Sequence, residues 1–270
     1  MTGSRASYHP KVLVSTAGSV TTVTIDSPDT KNSCTGDMWV ALGATFRDLS
    51  YSGTRAIVLR GAGSDFCAGA NLGGASGDGE NAPGAQSHIV HGLRVLGDVA
   101  LAVHSCPVPV VARVDGVCVG AGLGLALACD MIWCSDRARF SAIFVKRGIS
   151  LDFGTSWLLR QRLGVHKAKE LCFTGRMVGA TEALEIGLVN AVVPADGLDD
   201  ATAEVVGAIA SGPPIALSLI KRELDNAAQT SLAQALETET LAQSLNTGTE
   251  DMREALMAYV ERRTPTFYGR

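Results

Sequence analysis

The stretch from Val108 to Phe144 constrains the fold more than any other part of the chain. Its valines read as a strand from Val110 to Val119, and Gly120-Ala121-Gly122-Leu123-Gly124 follows directly. Leu125-Ala126-Leu127-Ala128 then reads as a short buried helix before a second strand. The same order of strand, turn, short helix and strand returns around Leu188 to Val193. Ala56-Ile57-Val58-Leu59 is a short apolar run of the kind found in parallel strands covered on both faces. An α/β fold with parallel pairing is therefore expected.

The flanking segments fit this frame. Val12 and Val14, then Val20, Val23 and Ile25, alternate as strands about a turn at Ala17 to Ser19. Met38, Leu42, Phe46 and Leu49 recur near a 3.6-residue period, which predicts a helix from about Thr35 to Leu49. Gly73 to Gly84 reads as a loop, and a helix is expected from about Gln86 to His104. After Asp196 the strand signal ends. Helices are predicted near 201–210, 214–227, 232–245 and 250–262, with Pro213 and Pro214 at one start and Thr249 as the N-cap of another. Residues 1–195 are thus expected to form an α/β core and residues 196–270 a helical region.

Composition removes several function classes. With 46% apolar and 19% charged residues, a 270-residue chain buries a core and does not stay disordered. A net charge of -4 lacks the basic surplus of a general nucleic-acid binder. No apolar run reaches the ~20 residues of a membrane span, and Met1 to Val14 lacks an apolar signal core. The seven cysteines form no C-x-x-C pair and read as reduced core thiols. A cytoplasmic protein without membrane insertion or nucleic-acid partner is expected.

Two glycine-containing loops carry the chemistry. In the segment Asp65 to Leu72, small residues at 68, 69 and 70 let a ligand approach the backbone and leave amides free to donate; a tight turn accounts for them as well. Gly120 to Gly124 leads into a helix, so its N–H groups suit an oxyanion. A dinucleotide loop needs glycine where Leu125 stands, and no Gly-Lys-Ser/Thr follows for a phosphate loop. Gly154-Thr155-Ser156-Trp157-Leu158 lacks the last glycine of a hydrolase elbow, and the five histidines show no zinc spacing, so no metal is expected.

Together the segments Asp65 to Leu72 and Asp115 to Met131 resemble the two oxyanion-hole motifs of the crotonase (enoyl-CoA hydratase/isomerase) superfamily. The resemblance continues through Phe140 to Leu159, Phe173 to Arg176, Ala180 to Val189 and Tyr259 to Arg263, nearly the whole chain. It implies a crotonase-like spiral of ββα turns with a C-terminal helical trimerisation region, assembled as a trimer or dimer of trimers. It also implies an acyl-CoA thioester as substrate, with coenzyme A arriving as part of that substrate and no tightly bound cofactor. The thioester oxygen would be held by the N–H groups of Ala70 and Ala121. Ala68, Asn71 and Leu72 would line the CoA site, and Tyr259 and Arg262 would reach the CoA of a neighbouring subunit.

Departures from the family pattern direct the choice of reaction. Hydratases of this family use two glutamates, and Gly124 and Phe144 stand at the matching positions. Asp152 remains, where relatives resembling dienoyl-CoA isomerases and aryl-CoA dehalogenases place a working aspartate. Leu151 and Phe153 beside it would desolvate the carboxylate and raise its pKa. Aspartate is also a favoured N-cap, here for a helix starting at Gly154. The histidine expected for aryl-CoA substitution is replaced by Gly97. A single base suits double-bond isomerisation better than water addition, with a second group from Ser150, His91 or an ordered water. The alternatives are a non-catalytic acyl-CoA binder and a thioester hydrolase.

Overall fold

The computed structural model describes residues 3–4, 7–71 and 89–270. Strands β1 (Gly3–Ser4), β2 (Val12–Ala17) and β3 (Val20–Ile25) pair antiparallel, the last two about a turn at Gly18. Beyond β3, pairing turns parallel through β4 (Ala56–Gly61), β5 (Val110–Val114), β7 (Met131–Ser135) and β10 (Ala191–Val193), giving a seven-stranded sheet among the described residues. All five residues of β5 are buried, as a strand covered on both faces requires.

The single strand expected from Val110 to Val119 is two. The chain turns at Asp115-Gly116, and β6 (Val117–Val119) joins a second small sheet with β8 (Arg139–Ser141) and β9 (Val178–Gly179). The break is fixed by Asp115, which is buried and accepts from Ser135 Oγ at 2.6 Å and Arg137 Nε at 2.7 Å. Burial pushes the Asp115 carboxyl up, but the hydrogen bonds of Arg137 and Ser135 and the Arg137 and Arg113 charges bring it below the usual range.

One face of the main sheet is covered by α1 (Gly36–Leu49), α2 (Ile89–His104), α3 (Ala121–Ala128) and α4 (Thr155–Thr174), which enclose a core including Trp39, Phe46, Phe140 and Phe153. Thr35 caps α1 by accepting from Met38 N. Helix α3 begins at Ala121, earlier than the sequence pattern suggests, so the glycine cluster forms its first turn. After α5 (Ala180–Glu185), α6 (Leu198–Ala210) packs on the other side of the sheet, where Val206 and Ala210 meet Val58 and Val111. The remaining helices are α7 (Pro214–Ala227), α8 (Leu232–Thr247) and α9 (Glu250–Glu261), within two residues of their expected bounds. No single helix among the described residues is long and apolar enough to cross a membrane. All seven cysteines are free; burial pushes the Cys118, Cys129 and Cys134 thiols up, the last to about 12.

Candidate active site

The two loops singled out in the sequence meet backbone to backbone. The first leaves the carboxyl end of β4 and is clamped by Asn32, whose Nδ2 donates to the carbonyls of Ala62 at 2.8 Å and Asp65 at 2.7 Å. Asp65 Oδ1 in turn accepts from Val117 N at 2.8 Å, fixing this loop to β6. Cys67 and Cys118 then pair across a parallel bridge, with Val119 N donating to Cys67 O at 3.1 Å. Glycine is required for this approach: a Cβ on Gly122 would lie 2.2 Å from Cys67 O.

Of the three small residues in the first loop, only the last presents a spare amide. Ala68 N donates to Lys31 O at 2.9 Å and Gly69 N to Cys67 Sγ at 3.4 Å. Cys34 pairs with Ala70 in a parallel bridge that uses Gly69 O and Asn71 N, leaving out the Ala70 N–H. Ala121 is the first residue of α3, so its N–H has no intrahelical acceptor. Neither of these two N–H groups has a partner among the described residues. Gly69 connects them, since a Cβ built there would lie 3.2 Å from Ala121 N. Two unspent donors at the positive end of a helix are what an oxyanion needs.

Asp152 stands on a turn in contact with the same helix. Phe153 and Gly154 both have left-handed backbones, at φ 53° and 72°, and Thr155 N closes the turn by donating to Asp152 O at 3.0 Å. The Phe153 ring sits 5.0 Å from that of Trp39, and its Cβ presses on Gly124, one helical turn after Ala121. The helix-cap alternative for Asp152 does not hold: Gly154 is the N-cap of α4 and no side chain caps it. Asp152 is half-buried, its Oδ1 is fully buried without a partner among the described residues, and burial raises its pKa.

The other expected residues divide. Ser150 is exposed, whereas Leu72, the loop 73–84 and the His91 side chain lie outside the described residues. Asn71 is half-buried beside Ala70. A cleft of about 640 Å³ between α4 and α7, lined by Trp157, Leu158, Ile220 and Lys221, contains neither donor amide nor Asp152. No cluster of metal-ligating side chains occurs among the described residues.

The family model described as Enoyl-CoA hydratase/isomerase matches residues 15–270. The chain belongs to the enoyl-CoA hydratase/isomerase family. It is 31% identical to the short-chain-enoyl-CoA hydratase of Clostridium acetobutylicum, over 93% of this chain and 95% of that protein. It is also 31% identical to the 1,2-epoxyphenylacetyl-CoA isomerase of Escherichia coli, again over 93% and 95%. The crystal structure of an enoyl-CoA hydratase from Bacillus anthracis superposes with a TM-score of 0.89 at 31% identity, covering 96% of this chain and all of that one.

Within this acyl-CoA-processing family, the chain has closed both positions where the resemblance places hydratase glutamates. A Cβ on Gly124 would lie 2.8 Å from Phe153 Cβ and 2.9 Å from Thr155 Oγ1. Phe144 is buried in the core on the 3₁₀ turn Ile143–Arg147. At the far end, Tyr259 is 85% exposed, and Arg262 ends α9 in a left-handed conformation. Arg263 is engaged by Glu254 and Glu261, whereas the Arg262 guanidinium has no partner among the described residues. Sequence reasoning missed Trp39 and Thr155. Their polar atoms are buried and have no partner among the described residues, a condition created by packing that no motif announces.

Proposed function

We propose that the enzyme isomerises a double bond in an enoyl- or dienoyl-CoA thioester, with Asp152 as its single base. The N–H groups of Ala70 and Ala121 hold the thioester oxygen. Asp152 removes a proton from a carbon next to the double bond, electron density moves onto that oxygen as an enolate, and the same carboxyl returns the proton at the far carbon. Each oxyanion donor is worth about 3 kcal/mol in enzymes where one has been removed. The observation that carries the reading is a buried Asp152 oxygen, without a partner among the described residues, on a turn touching α3, with a pKa raised by burial. The blocked positions at Gly124 and Phe144 favour one carboxylate over two. One relative, the 1,2-epoxyphenylacetyl-CoA isomerase, is named for an isomerisation, whereas others are named hydratases.

CoA would lie along the Ala68 to Leu72 backbone, where the Ala68 amide is already spent and its carbonyl is the group on offer. Tyr259 and Arg262 would contact a neighbouring subunit's CoA in a trimer or dimer of trimers. Exposed Leu232, Leu236 and Leu245 on α8, with Met257 and Val260 on α9, supply apolar surface for such an assembly.

Turnover of 2-enoyl-, 3-enoyl- and dienoyl-CoA thioesters, followed by mass and ultraviolet absorbance beside Asp152→Asn, tests the proposal. A double-bond shift without mass change, reduced by a factor of about 10² to 10⁴ in the variant, is expected. A mass gain of one water would establish hydration instead. Binding without turnover would make the protein an acyl-CoA binder, and release of free CoA a hydrolase.

A further inference from the structure

Three side-chain atoms are buried without a hydrogen-bond partner among the described residues: Trp39 Nε1, Asp152 Oδ1 and Thr155 Oγ1. They share one place in the fold. Asp152 and Thr155 are the two ends of one turn, and Trp39 packs its ring on Phe153 inside that turn. Thr155 Oγ1 also lies 2.9 Å from the point where Gly124 would carry a Cβ. The buried polar groups left unsatisfied among the described residues therefore belong to one turn and its packing partner, and that turn contacts α3 at Gly124.

Leaving a buried hydroxyl, an indole N–H and a carboxylate oxygen unpaired is costly, because each gives up water without gaining a partner. A purely hydrocarbon acyl chain against this turn would leave all three unpaired. One oxygen atom that both accepts and donates would satisfy them: Trp39 donates, Asp152 accepts, and Thr155 can do either.

We infer that Thr155 and Trp39, together with Asp152, bind a single hydroxyl-type oxygen beside the reacting carbons. Its source is either a hydroxyl on the acyl group or a water that accompanies a plain acyl chain. This deepens the isomerase reading and rests on it for the position of the acyl group. Thr155 is the second polar group of the site, sought at Ser150 or His91 from sequence and supplied by the first residue of α4.

The test uses the full-length protein with Thr155→Val, which keeps the shape, and Thr155→Ser, which keeps the hydroxyl. Dissociation constants, kcat and KM are measured for an enoyl-CoA and for a hydroxyacyl-CoA of the same chain length, with Asp152→Asn in parallel. If the oxygen belongs to the acyl group, Thr155→Val weakens hydroxyacyl-CoA binding by about tenfold or more relative to enoyl-CoA binding. If it is water, Thr155→Val lowers enoyl-CoA kcat by a similar factor at constant KM. In either case Thr155→Ser restores the wild-type values, and the thermal midpoint of Thr155→Val does not fall. Wild-type constants for Thr155→Val on both ligands would overturn the inference, as would an equal loss in Thr155→Ser or a lowered midpoint, which would mark a packing role. The isomerase reading fails separately, if Asp152→Asn turns over normally or the wild type shifts no double bond. The binding constants still decide the role of Thr155 in that event.

Discussion

Asp152 is a carboxylate held where ionisation is penalised. Burial raises its pKa from the ordinary 3.8, and among the described residues no cation or hydrogen bond offsets that effect. Between the unfolded and folded values the native state binds more protons, so this residue makes stability fall as pH rises through that window. Asp152→Asn removes the dependence. The thermal midpoint of the variant relative to wild type should therefore climb by calorimetry as pH rises above the ordinary carboxylate value of 3.8, and a flat difference would argue against the raised pKa. Turnover should show the opposite slope, rising as Asp152 ionises, with its acid limb above the ordinary carboxylate range. At Gly124, glutamate would not rebuild a hydratase. Its Cβ meets Phe153 and Thr155, so Gly124→Glu should lose about 1–3 kcal/mol or more in denaturant melts and gain no water-adding activity.

The elements bring these residues together by close backbone contact. The approach of the first loop to β6 and α3 depends on Gly122, where a Cβ would strike the Cys67 carbonyl. Gly122→Ala should cut turnover more than it weakens CoA binding, because it moves the Ala121 donor while leaving α9 intact; parallel kcat and Kd measurements check this. Much of this level was legible in the sequence. The strand runs, the helix bounds after Asp196 and the two loop motifs announced themselves through period, capping residues and glycine spacing. The break at Asp115-Gly116 did not, because valines on both sides read as one strand while the turn is enforced by Arg137 and Ser135 from further along. Helix α3 was placed late for a related reason. Its glycines have poor helix propensity, and tertiary contact with Cys67 outweighs that preference. Thr155 and Trp39 were invisible because an unpaired buried atom exists only once the chain has packed.

At the scale of the molecule, the site lies at one end of the α/β core, and α8 and α9 carry exposed apolar side chains that a subunit interface would cover. If Arg262 serves a neighbour's CoA, Arg262→Ala should raise KM for the thioester by about three- to tenfold with kcat little changed. Dilution below the assembly range should mimic it in the wild type. Loss of kcat alone would place Arg262 elsewhere. Both effects are secondary to the central claim, that Asp152 exchanges a proton with the carbon beside a thioester held by Ala70 and Ala121. Hydrogen exchange at the α-carbon of an acyl-CoA in deuterium oxide, read by mass spectrometry, tests that claim without assuming the final product. The account predicts deuterium incorporation by the wild type and its loss, by a factor of about 10² or more, in Asp152→Asn. Equal incorporation by both proteins, or none by the wild type while the thioester binds, would contradict it.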